Sequence, residues 1–269
     1  MIEDNFDDFD HDDFDRHVTR IPQHKKNPLG KSILENATQY WQDIGEAEHG
    51  RLIQSLMHLA QDEPYFQVLA DELDQPVEAK VTNDALNLMH FWQMLEQQNL
   101  GNAEGLLSLP TLPQFQDAIL AAFDALDIGE TKAQRRQVLA ESFKLYQLEC
   151  YAGCIPVLYA QMEGLLTEVL IAQGYLEQKD TRFIDVYKIV PGIKGHEIKS
   201  LWHKAKIASE LNRYFVELAA FQMDSSSSVT MARHNMLHGT DVAHFSQGRS
   251  LVLFIWLFAV ISFMSTVKK

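Results

Sequence analysis

Cysteine is scarce: Cys150 and Cys154 are the only two in 269 residues. Their four-residue spacing in a helical stretch suits neither a metal knuckle nor a redox pair, so both read as small core residues. Proline (8) and glycine (13) are few as well, while Leu, Ala, Gln and Glu are abundant through long stretches, a balance that favours helices over strands. Cations are outnumbered, with 23 Lys and Arg against 37 Asp and Glu and a net charge of −14. That argues against a protein that coats nucleic acid non-specifically, because polyphosphate binding is driven by cationic surface. No basic segment followed by an apolar one opens the chain, so export is not expected. A reducing cytoplasm fits both this and the cysteine usage.

The acidity is concentrated at one end. Glu3 and seven aspartates (Asp4, Asp7, Asp8, Asp10, Asp12, Asp13 and Asp15) fall in residues 3–15. There the pattern Asp-Asp-Phe-Asp occurs twice, at 7–10 and 12–15, and like charges repel with no apolar face large enough to repay ordering. Residues 1–28 are expected to be a disordered acidic tail, either solubilising or able to dock on a basic groove.

The rest reads as all-α. Helical spacing of apolar residues marks Leu34, Tyr40, Trp41 and Ile44, then Leu52, Ile53, Leu56 and Leu59, with Pro64 as a break. Leu86 to Leu95 predict a helix over 81–98, and Gly101, Gly105, Pro110 and Pro113 predict a loop that divides an N-terminal helical module, 29–130, from a second domain, 131–269. The N-terminal module reads as regulatory. Residues 114–126 and 132–149 predict two scaffold helices. His58 and His90 fall within the apolar patterns and read as core or rim histidines rather than ligands. The most organised stretch is 150–172, where Tyr151, Ile155, Leu158, Tyr159, Met162, Leu165, Leu166 and Val169 recur at three- and four-residue steps. Pro156 predicts a helix start or a kink there. Glu163 lies within this stripe, either facing solvent or partly buried beside a cation.

Two segments carry chemistry. Residues 188–213 invert the local charge with Lys188, Lys194, Lys199, Lys204, Lys206 and Arg213. Lys194, Lys199, Lys204 and Lys206 are candidates to hold an RNA strand, and a solvated helix face is the plainer reading. The second segment is Arg233-His234-Asn235-Met236-Leu237-His238-Gly239-Thr240, preceded by four serines at 225–228 that suit a helix start. Arg233 and His238 lie five residues apart, about 140° around a straight helix. Cleavage of an RNA phosphodiester needs a base for the 2′-OH, an acid for the leaving 5′ oxygen and a cation for the developing charge. Two imidazoles and a guanidinium supply all three without a metal or cofactor.

By spacing alone this pair is a weak signal, but its surroundings add to it. The segment from Arg233 to Thr240 resembles the RNA-cleaving signature of the HEPN superfamily, and the following Gly is typical of one large branch. Tyr151 to Gly164 resembles that branch's helix ending in a Glu-Gly pair, and the similarity covers about residues 135–269. The resemblance implies a helical bundle that forms a homodimer, with two Arg–His segments meeting over one cleft. It also implies Arg233 and His238 as catalytic, His234 or Asn235 as the supporting polar position, and Glu163 as a helix-to-helix partner of the site. A toxin or antiviral defence role, with a regulatory partner or antitoxin, follows by the same likeness. Some relatives carry a modifiable Tyr two residues after the His, where Thr240 stands here.

Rival readings remain open. His234 and His238 have the i, i+4 spacing of a metal pair, though no Glu follows His234 and no third ligand is indicated. Leu251–Val267 is uncharged and followed by two lysines, as in a tail anchor, yet it is short and interrupted by Ser262, Ser265 and Thr266. A buried dimer core accounts for it better, with no stable membrane insertion. A non-catalytic helical interaction module is the third alternative.

Overall fold

A computed structural model of the chain describes residues 45–74, 83–172, 242 and 244–266. Every regular element among them is helical, and none is a strand. Helical residues 45–59 (α1) bury Leu52, Leu56 and Leu59, as their spacing predicts. Pro64 follows as the N-cap of α2, Tyr65–Leu73, which turns Tyr65, Phe66, Leu69, Ala70 and Leu73 inward. Helix α3 spans Asn83–Gln97 and buries Leu88, Met89, Phe91, Trp92 and Leu95. His58 and His90, expected at the core or its rim, are exposed, on the outer sides of α1 and α3.

The loop expected between Gly101 and Pro113 is instead a run of short elements: α4, Ala103–Ser108, a 3-10 turn, Leu109–Thr111, and the start of α5, Pro113–Asp124. Glycine and proline here have positional roles rather than breaking ones. The Asn102 side chain caps α4 by accepting the Gly105 N–H at 2.7 Å. A Cβ on Gly105 would fall 1.8 Å from the Leu100 carbonyl oxygen, so only glycine permits this approach. Pro113 occupies the first position of α5, where its missing N–H costs nothing.

Helix α6, Lys132–Gln147, and helix α7, Tyr151–Ala172, follow. Pro156 sits inside α7, which begins five residues before it; the carbonyl deprived of an N–H is that of Ala152, an exposed residue that water can reach. The last helix, α8, Gln247–Thr266, is the centre of the structure. It packs on α7 most extensively, then on α5, α3, α4 and the 3-10 turn.

Residues 248–257 of α8 are all buried. Phe254 stacks on Phe143 of α6 at 4.7 Å, Trp256 meets Tyr65 of α2 edge-on at 5.0 Å, and Phe258 lies 5.3 Å from Phe91 of α3. The expectation of a dimer core for this run is thereby corrected: the chain's own helices cover it. Among the described residues no helix is long and apolar enough to cross a membrane. Helices from both sides of residue 130 share this one core, so no gap in packing separates them there.

Among the described residues two charged contacts interrupt the apolar interior: Asp84 accepts the Tyr65 hydroxyl at 2.6 Å, and Arg249 meets Glu63. Arg249, in the first turn of α8, and Glu63, just ahead of α2, are 0% and 1% exposed, and Arg249 Nε lies 2.8 Å from Glu63 Oε2. Glu63 Oε1 also accepts the Tyr65 N–H at 3.3 Å. Removing one member would strand the other charge away from water, at a cost of about 3–5 kcal/mol. Arg249→Met and Glu63→Leu, made singly, are each expected to lower the urea unfolding midpoint by the equivalent of that loss.

Candidate functional site

Arg233, His234, Asn235 and His238 lie outside the described residues, as do Lys194, Lys199, Lys204 and Lys206. Glu163 lies in α7, and its side chain is likewise outside them. The description therefore reaches the two flanks of the candidate segment: the middle of α7, and the start of α8 seven residues beyond Thr240.

The start of α8 is built by polar contacts in several directions. Ser246 caps the helix, its Oγ accepting the Arg249 N–H at 3.1 Å. Gln247 lies beside Tyr146 of α6, whose hydroxyl donates to the Leu107 carbonyl. Burial pushes the Tyr146 phenol far above its ordinary range, so it stays protonated and keeps that donor. A Cβ on Gly248 would lie 3.1 Å from that of Glu63, so the helix approaches the Glu63 backbone closely. Ser250 donates to the Ser246 carbonyl at 2.9 Å and lies beside Cys154 of α7, whose thiol donates to the Ser142 carbonyl at 3.4 Å.

On α7, Gly164 follows Glu163. The Arg135 guanidinium of α6 lies over it, where an added Cβ would fall 2.5 Å from Nη1. Arg135 grips Glu168 with two bonds, Nε to Oε2 at 2.8 Å and Nη2 to Oε1 at 2.7 Å, and reaches Gln161 at 3.2 Å. Thr131 adds a bond to the same carboxylate at 2.6 Å. The hydrogen bond from Arg135 is the largest influence holding the Glu168 carboxyl below its usual range. The Glu-Gly pair thus has a packing reason in its second member: glycine leaves room for a cation to cross the helix.

Sequence reasoning missed Glu63, Arg249 and Arg135. A signal for Arg249 existed, because it is the only Lys or Arg between Arg233 and Lys268 and adjoins the longest apolar run. Glu63 gave none, since a carboxylate beside a proline reads as a turn. The expected burial of both cysteines holds for one. Cys154 is buried and Cys150 is exposed just before α7 begins.

Among the described residues, no three His, Cys, Asp or Glu side chains are grouped to hold a metal ion. Comparisons with family models, with curated proteins and with solved structures found no match for this chain.

Two predictions follow from this geometry. Gly164→Ala should push Arg135 off Glu168 and cost about 1 kcal/mol, the scale of a partly exposed ion pair. A carboxyl with a lowered folded pKa contributes stability that is present above the ordinary carboxylate range and lost as pH falls through the folded value. The difference between wild type and Gly164→Ala in urea titrations should therefore narrow in acid. The second concerns the thiols: burial pushes Cys154 up to about 12. Iodoacetamide at pH 8 should label Cys150 alone in the native chain and both cysteines after unfolding.

Proposed function

We propose that this protein is a metal-independent endoribonuclease of the HEPN type, acting as a homodimer. The observation that carries the reading is the segment Arg233-His234-Asn235-Met236-Leu237-His238-Gly239, with its resemblance to that superfamily's RNA-cleaving signature. The all-helical character of the described residues agrees with a helical bundle and is a coarser support.

In this mechanism an imidazole at His238 takes the 2′-OH proton, and the 2′ oxygen attacks the adjacent phosphorus. A second imidazole, from the other copy's segment, gives a proton to the departing 5′ oxygen. The products are a 2′,3′-cyclic phosphate and a 5′-hydroxyl. Arg233 binds the scissile phosphate with two N–H groups, keeping its charge at every working pH. His234 or Asn235 orients the 2′-OH. Glu163 supports the segment from α7, and Lys194, Lys199, Lys204 and Lys206 supply cationic surface for the strand. The substrate class is RNA, and the setting is a toxin or antiviral defence system with a regulatory partner.

The test is direct. Purified protein incubated with tRNA and total RNA in EDTA is expected to cut and to leave cyclic phosphate ends. His238→Ala should reduce the rate by about 10²–10⁴-fold, the usual contribution of a general acid or base, with folding intact by circular dichroism. Arg233→Ala should abolish cleavage comparably. Cutting that is lost in EDTA and restored by zinc would favour a metal site at His234 and His238 instead. Wild-type cleavage by both folded alanine variants would defeat the proposal.

A further inference from the structure

Helix α8 poses a problem of uniqueness. Its rings leave in different directions, Phe254 toward α5 and α6, Trp256 toward α2 and Phe258 toward α3. A helix that is apolar on every side has no preferred face, so area burial changes little if it turns about its axis or slides by one turn. Something other than hydrophobicity must select one arrangement.

The charged contact at its first turn is suited to do so. Arg249 is fully buried, a cation at a helix N-terminus, where the backbone dipole disfavours it. Its Nε is close to Glu63, but the contact falls short of an aligned hydrogen bond, and neither Nη1 nor Nη2 has a hydrogen-bond partner. Such a pair is poorly arranged to stabilise, since desolvating both ions offsets most of their attraction. It is well arranged to discriminate. In any other rotation or axial position a carboxylate and a guanidinium would each be buried alone, a far larger penalty than exchanging one apolar neighbour for another. Other close neighbours of α8 lie at the same turn: Gln247 beside Tyr146, Gly248 against Glu63 and Phe66, and Ser250 beside Cys154.

We propose that the Glu63–Arg249 pair is a register lock, the contact that selects a single rotation and axial position for α8 within a core that would accept several. The lock joins the segment just ahead of α2 to the helix that begins seven residues after Thr240. If the ribonuclease reading also holds, the same register sets where the backbone of the Arg233–His238 segment is delivered. The lock itself does not rest on RNA cleavage.

The experiment replaces both partners at once in the full chain, Glu63→Leu with Arg249→Met, leaving no stranded charge. The expected result is unchanged far-ultraviolet circular dichroism and a thermal midpoint equal to or above wild type. Alongside these, uniqueness should fall: near-ultraviolet signal weakens, the dye ANS binds, and amide resonances of residues 247–266 double or broaden. One sharp set of resonances with wild-type near-ultraviolet signal would overturn the proposal. Outright loss of helicity would overturn it too, because the pair would then stabilise rather than select. Gln247→Met with Ser250→Ala leaves the ion pair in place and is expected to retain one set of resonances. Doubling in that variant would show that the neighbouring polar contacts set the register instead.

Discussion

A carboxylate and a guanidinium shut away from water hold the first turn of the last helix against the segment that precedes α2. Neither partner can leave alone without being stranded in a low-dielectric interior, so the start of α8 is tied to the segment ahead of α2. Around that tie, Gly248 approaches Glu63 closely, Gln247 lies beside Tyr146 and Ser250 beside Cys154. The aromatic contacts of Phe254, Trp256 and Phe258 further along α8 then fall on three different neighbours.

The contacts of α8 reach widely through the first half of the described chain. The segment 29–130, expected to be a separate module, includes α1 to α5, and several of these helices lie directly on α8. Glu63 belongs to the same segment. On the other flank, Arg135 crosses Gly164 to hold Glu168, tying α6 to α7 beside Glu163.

Much of the fold was legible because most described helices are amphipathic. Leu52, Leu56 and Leu59, or Leu88, Phe91, Trp92 and Leu95, repeat at helical spacing because only one side of each helix meets the core. The stretch 101–113 was misread because Gly105 and Pro113 have the same letters whether they break a helix or fit one. What distinguishes the cases is the Leu100 carbonyl against Gly105 and the first-turn place of Pro113. The apolar run after Arg249 was ambiguous for a different reason. A helix buried by its own chain, by a second copy or by lipid has the same composition. For the candidate site, residue types and spacing carried the chemistry of Arg233, His234, Asn235 and His238, while the packing partners Arg135, Glu63 and Arg249 carried no spacing signal.

The amino-acid sequence by itself determined that the described elements are helices, where most of them begin and end, and which faces of the amphipathic ones turn inward. These are local properties, set by periodicity, caps and the scarcity of breakers within a dozen residues. Only the tertiary structure decided that α8 is the central helix, that Glu63 and Arg249 meet across 186 positions of chain, and that Gly164 makes room for Arg135. Such contacts depend on how apolar faces far apart in the sequence settle against each other, and no local pattern encodes which carboxylate will be waiting when a buried cation arrives.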